Sequence, residues 1–151
     1  MTTDSTWRAL GIETANHLRR LIQFDTSNPP GNELPLARYL DDTLSAAGIE
    51  THRFEPLPNR GSLVARLRGN GSAAPVLITA HMDVVGVDRD AWTHDPFGGD
   101  TDDGYLYGRG AIDDKGMLAV LLVAMLRIRR EMVAEGRVLR RDIIFAATPD
   151  E

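Results

Sequence analysis

Two short apolar runs constrain this chain more than any other feature. Val76-Leu-Ile-Thr-Ala80 and Asp142-Ile-Ile-Phe-Ala-Ala147 are nearly free of polar side chains. Runs of this kind read as strands buried on both faces, so Val76–Ala80 is expected at the centre of a sheet covered by helices. Between the two runs, residues 115–135 predict a helix with an apolar first half. Arg127, Arg129 and Arg130 fall in its second half, where cations suit the negative end of the helix dipole. Upstream, Trp7, Leu10, Ala15, Leu18, Leu21 and Ile22 recur at helical spacing over 5–24, with Asp4 or Ser5 available as a cap. A dense turn, Asp25-Thr-Ser-Asn-Pro-Pro-Gly-Asn32, ends that helix. A second helix over about 33–47 places Leu36, Ala37, Leu40, Leu44 and Ala47 on one face, with Gly48 at its C-terminal cap. Residues 49–55 and 61–68 predict an antiparallel strand pair, and Tyr105-Leu-Tyr107 a short strand after an irregular excursion over 84–103. The fold class is α/β with a mixed sheet flanked by helices.

Composition narrows the chemistry. The chain has 151 residues, the size of one domain. Its 17 Lys and Arg against 22 Asp and Glu give a net charge of −5, which supplies no general attraction to nucleic acid or to an anionic membrane. There is no cysteine, so a metal site here must be built from His and carboxylates. No basic segment followed by an apolar run opens the sequence, and a cytoplasmic location is the expectation. The longest apolar run, Met117 to Leu126, is too short to span a bilayer and reads as a buried helix.

Three segments carry candidate chemistry. His81 and Asp83 follow the first apolar strand, at the sheet edge where open α/β folds bind ligands. If the extended geometry persists, both point to one side, as a metal ligand and its orienting carboxylate would. The alternative is a strand cap followed by a turn. Gly108-Arg-Gly-Ala-Ile-Asp-Asp-Lys-Gly116 opens the long helix. Lys115 is not followed by Ser or Thr, and Asp113 and Asp114 would repel a phosphate, so a bound cation fits better than a phosphate cradle. Helix capping by the two aspartates is the competing reading. Thr148-Pro-Asp-Glu151 ends the second apolar strand, where Glu151 is placed either as a general base or as a solvated terminus.

Taken together with Asp25–Glu33, Trp92-Thr-His-Asp-Pro-Phe97 and Gly104–Gly116, these segments resemble the co-catalytic zinc metallopeptidase and amidohydrolase family. That family includes acetylornithine deacetylase, succinyl-diaminopimelate desuccinylase, carboxypeptidase G and aminoacylase. The resemblance implies a zinc-exopeptidase-like sheet and hydrolysis of an amide bond in a peptide or N-acyl amino acid. It implies two Zn²⁺ ions, for which Co²⁺ can substitute. It makes His81 a ligand to one zinc, Asp113 the bridge between both, Asp83 the residue that holds His81, and Glu151 the general base. Asp114 matches the residue after the bridging aspartate, where the intervening peptide can be cis. His17, His52 and His94 match no ligand, Arg109 supports its loop, and Trp92 and Phe97 anchor the excursion.

The resemblance also implies that residues 1–151 are the N-terminal part of a catalytic domain. The glutamate that follows the base, the remaining ligands and the lid domain with its dimer contacts have no counterpart. A piece with two of the direct ligands is expected to bind zinc weakly and to lack hydrolase activity, since a catalytic zinc takes about three protein ligands. The alternative is a naturally short, non-catalytic binding module on the same scaffold.

Overall fold

A computed structural model describes residues 3–150. The expected elements are present: α1 (Thr3–Ile22), α2 (Leu34–Ala46), β1 (Glu50–Leu57), β2 (Arg60–Leu67), β3 (Val76–His81), β4 (Thr101–Asp102), β5 (Tyr105–Leu106), α3 (Lys115–Glu135) and β6 (Ile143–Thr148), with one 3₁₀ turn at Arg89–Ala91. The main sheet runs in the order β1-β2-β6-β3. β2 is antiparallel to both β1 and β6, and β3 is parallel to β6 with His81 opposite Thr148. The sheet is therefore mixed, as the strand–helix–strand pattern requires.

Alternation within the strands decides which face is covered. Leu63, Ala65 and Leu67 of β2, Ala80 of β3, and Phe145 and Ala147 of β6 point to one side. There they join Leu36, Ala37, Leu40 and Leu44 of α2 and Leu118, Ala119, Leu122 and Met125 of α3 in a single core. α2 lies over β1 and β2, α3 over β3 and β6, and α1 packs along α3. Burying a side chain of this size contributes roughly 1.5–3 kcal/mol, so the core of Leu, Met and Phe residues fixes the helices to this face.

Five expectations need correction. β3 is an edge strand among the described residues, not a central one, and Leu77 on its other face is 62% exposed. All helices lie on the face of Ala80, so the apolar character of Leu77 is not matched by cover from this chain. The interior strands are β2 and β6. The β1–β2 connection is shorter than expected, because the strands continue to Leu57 and resume at Arg60. Pro56 is tolerated since β1 is an edge strand, where a missing N–H leaves no ladder bond unmade, and the register shifts between Phe54 and Leu57. Trp7 does not join the core. It is 60% exposed, with the Arg127 guanidinium 4.9 Å from its ring centre. The arginines of α3 are not a free solvated end: Arg130 pairs with Glu13 of α1 at 2.6 Å, and Arg129 Nε donates to the Ala47 carbonyl at 3.2 Å. α3 is also not buried all round, because Met117 and Val120 face outward.

The excursion over 84–103 is irregular apart from the 3₁₀ turn and the start of a small hairpin, β4–β5. Asp103 and Gly104 both have positive φ, as a tight hairpin turn of matching twist needs. Phe97 is buried, which anchors the excursion as expected. Among the described residues no helix is long and apolar enough to cross a membrane.

Candidate active site

The C-terminal ends of two parallel strands, β3 and β6, set the site. His81 closes β3, and Met82 N–H continues the pairing by donating to the Thr148 carbonyl at 2.8 Å. The chain then turns through Asp83 and Val84. Val84 exchanges backbone bonds with the turn after α1: its N–H donates to Thr26 O at 3.1 Å, and Asn28 N–H donates to its carbonyl at 2.9 Å. The Thr26 hydroxyl donates to Met82 O at 2.7 Å. These bonds carry Asn28 against Asp83.

His81 and Asp83 do share a side. His81 Nδ1 is 3.1 Å from Asp83 Oδ1, and Nε2 is 3.1 Å from Asp113 Oδ1. A carboxylate only accepts, so each contact asks for a proton on the ring nitrogen. Burial lowers the imidazole pKa, but the bonds to Asp113 and Asp83, with the charges of Asp83 and Asp114, outweigh it and raise the pKa. Asp83 is buried and held by Asn28, whose amide nitrogen donates to Asp83 Oδ2 at 3.0 Å and to Asp150 Oδ1 at 2.6 Å. Asp113 is largely exposed.

The two aspartates before α3 have separate tasks. Neither caps the helix through its side chain: Asp114 occupies the cap position without such a bond. Its Oδ2 accepts instead from the His81 backbone N–H at 3.3 Å. The Asp113–Asp114 peptide is cis. The glycines upstream serve packing rather than anion binding. Gly110 has φ +82°, and a Cβ there would stand 2.7 Å from a Val84 methyl carbon.

Several residues of the site were not singled out in the sequence. Lys115 is fully buried and donates to the Phe24 carbonyl at 2.6 Å. Burial pushes its pKa down to about 8, against the charges of Asp25 and Glu33. Glu33 is also fully buried, and Arg60 Nε donates to its Oε2 at 2.8 Å. Burial raises the Glu33 pKa, and the Arg60 ion pair offsets part of that rise. Arg60 reaches on to Pro149 O at 2.6 Å, which fixes the end of β6 next to the site. Asn28 and Glu33 lie in a stretch that reads as a turn and a helix start. Their lone polar side chains carry no periodic signal, and only the fold brings them to His81.

Glu151 lies outside the described residues. His94 stacks on Tyr107 at 4.0 Å, His17 bonds to the Tyr39 hydroxyl at 2.7 Å, and His52 sits beside Glu50 on β1. None of the three approaches His81.

The donor set can be tested against a metal. Two ligands that each reach zinc at about 2.0–2.1 Å stand about 3.3 Å apart around a tetrahedral ion. His81 Nε2 and Asp113 Oδ1, at 3.1 Å, fit that spacing, and Asp83 fixes the ring from behind. Among the described residues no group of three or more His, Asp or Glu is placed to hold an ion, so the pair is a partial set. A cavity of about 240 Å³ opens beside it, lined by Asn28, Val84, Val85, Arg109 and Asp150 as well as the pair and Asp83.

An α/β sheet with a carboxylate-clamped histidine at its C-terminal edge is a scaffold that can present a metal ligand with its orienting carboxylate. The family model for peptidase family M20/M25/M40 matches residues 77–151, and the chain belongs to that family. A probable succinyl-diaminopimelate desuccinylase of Staphylococcus epidermidis is 35% identical over 136 residues, which is 89% of this chain and 32% of the relative. Human carnosine dipeptidase 1 superposes with a TM-score of 0.76 at 23% identity, over 98% of this chain and 34% of that structure. A dinuclear metal binding peptidase of Bacillus subtilis, of family M20, superposes with a TM-score of 0.63 at 19% identity, over 95% and 36% of the two chains. This chain thus spans about a third of the length of the proteins it matches.

Proposed function

We propose that this chain forms the N-terminal part of the catalytic domain of a dinuclear zinc hydrolase that cleaves an amide bond in a peptide or N-acyl amino acid. The observation that carries the reading is the His81 imidazole, held between Asp83 and Asp113 at the end of parallel strands. The relative named as a probable succinyl-diaminopimelate desuccinylase, an amide-cleaving activity, supports the same reading.

His81 would present Nε2 to one zinc while Asp83 keeps the proton on Nδ1, which fixes the ring and strengthens the ligand. Asp113 would bridge the two ions from its exposed position before α3. Asp114 ties the same loop to the His81 backbone, so ligand and bridge move as one body. When bound, the zinc pair lowers the pKa of a water and polarises the amide carbonyl. Glu151 would accept the proton from that water and pass it to the leaving nitrogen. Asp150, the residue before it, is held by Asn28 and Arg60. The remaining ligands, the lid and its dimer contacts belong to chain beyond these residues, and the protein works in the cytoplasm on small substrates.

The test is to express the full reading frame and assay release of amino acids from N-acyl and dipeptide panels with zinc or cobalt. Chelation should abolish turnover, and Glu151→Gln should lower kcat by about 10²–10⁴. Turnover that survives chelation would refute the proposal. Residues 1–151 alone should bind zinc weakly and show no turnover. Tight uptake of two zinc ions in isothermal titration would overturn that part.

A further inference from the structure

The turn between α1 and α2 is fastened independently of the side chain at position 28. Val84 exchanges main-chain bonds with Thr26 and with the Asn28 N–H, and Gly31 N–H closes the turn onto Ser27 O at 2.8 Å. Gly31, at φ +81°, passes so close over Arg60 that a Cβ there would stand 2.5 Å from the Arg60 Nε. Arg60 in turn donates to Pro149 O at 2.6 Å. On this fixed backbone the Asn28 side chain joins two acids. Its amide nitrogen donates to Asp83 Oδ2 at 3.0 Å and to Asp150 Oδ1 at 2.6 Å. A carboxylate only accepts, so the two contacts take both hydrogens of the amide. Aspartate, of the same shape, would offer no donor, and serine would offer one. The two acids follow different strands, Asp83 after β3 and Asp150 after β6. Asp83 holds His81 Nδ1 at 3.1 Å, and Asp150 precedes Glu151 in the chain.

We infer that Asn28 is a positioning residue for the reaction: through one nitrogen it sets the carboxylate that orients His81 against the segment that leads into the base. This rests on the hydrolase reading. Asn28 acts through Asp83 and Asp150, so its loss falls on the chemical step rather than on substrate binding.

The test uses the full-length, metal-loaded protein and the N-acyl amino acid or dipeptide it turns over. Asn28→Ala should lower kcat by about 10- to 100-fold and leave KM within about threefold of wild type, the signature of lost alignment. Asn28→Asp keeps the shape but turns a third carboxylate toward the other two, and should lower kcat further than Asn28→Ala. Adding Asp150→Asn to Asn28→Asp exchanges donor and acceptor along that contact and should recover about tenfold in kcat. Asp150→Asn alone completes the cycle. The two Asn28→Asp variants carry the test if Asn28→Ala fails to fold. Equal kcat in wild type, Asn28→Ala and Asn28→Asp overturns the inference. So does a loss in Asn28→Asp that Asp150→Asn leaves unrelieved, since such a loss comes from packing alone.

A second readout does not depend on turnover. In the metal-free full-length protein, labelled with nitrogen-15 at asparagine, the side-chain amide of Asn28 is identified by its loss in Asn28→Asp. Its two protons should exchange slowly with water, and Asp83→Asn and Asp150→Asn should each shift a different one. If the amide behaves so but the wild type cleaves no amide bond, the hydrolase reading fails, and with it the catalytic consequence, while the tie itself stands. If the wild type turns over but the amide exchanges freely and the Asn28 variants keep kcat, the hydrolase reading stands and the positioning role fails.

Discussion

Replacing Arg60 by Met tests how the site is braced. Glu33 has no exposed surface, and Arg60 is 18% exposed at its side chain. Among the described residues Glu33 Oε1 has no hydrogen-bond partner, so besides a backbone hydrogen bond it is Arg60, through Oε2 at 2.8 Å, that offsets the burial of that charge. Removing one member of a buried pair leaves the other uncompensated and costs about 3–5 kcal/mol. Arg60 is not fully buried, which favours the lower end, about 3 kcal/mol. Loss of the bond to Pro149 O acts in the same direction.

The assay is urea unfolding of wild type, Arg60→Met, Glu33→Gln and the double variant at pH 7. Glu33→Gln removes the stranded charge, so the double variant should be more stable than Arg60→Met by about 1–3 kcal/mol. The pH dependence has a fixed sign. Burial already raises the Glu33 pKa in the folded state, and loss of Arg60 raises it further. A raised carboxyl pKa means the folded state binds the proton more readily than the unfolded one. The deficit of Arg60→Met should therefore shrink as pH falls from 7 toward 5. A deficit below about 1 kcal/mol at pH 7, or one that grows on acidification, refutes the reasoning.

Other perturbations have clear outcomes. Asp83→Asn takes the charged acceptor from His81 Nδ1 and should weaken zinc uptake by the full-length protein about 10- to 100-fold, measured by competition with a chromogenic chelator. Gly110→Ala forces a Cβ to within 2.7 Å of Val84 at φ +82°, and should cost about 1–3 kcal/mol in thermal unfolding. Burial lowers the His17 pKa, with Glu13 raising it and Arg130 lowering it. The unfolded chain then binds the proton more readily, so stability should fall as pH drops below 6.5. His17→Gln should flatten that slope in urea midpoints taken between pH 7.5 and 5.5.

The fold was legible where side-chain periodicity carries it. α2 and α3 begin and end within a residue or two of where their apolar faces and glycine stops place them. His81 and Asp83 share a side because the pairing continues past β3 through Met82, and extended residues two apart point the same way. β3 shows the limit of the same logic. Val76–Ala80 is apolar on both parities, and that pattern says a strand prefers cover on both faces. It cannot say that the described residues leave the Leu77 face exposed. The arginines of α3 show it too: a cation near a helix end satisfies the dipole rule whether it meets water or, as Arg130 does, a glutamate on α1.

By itself the sequence determined the α/β class, the excluded thiolate chemistry and the likeness that singled out His81, Asp83 and Asp113. Those follow from local chemistry: residue type, short-range period and turn-forming residues. The tertiary structure decided what stands around them. It joined Asn28 to Asp83 across 55 residues and Arg60 to Glu33 across 27. It put Asp114 on the His81 backbone, and set Arg109 on the wall of the cavity beside that histidine. Such pairings depend on strand order and register, which the packing of distant segments sets. No local pattern encodes them, because a single polar side chain reads the same whether its partner is water or a buried carboxylate.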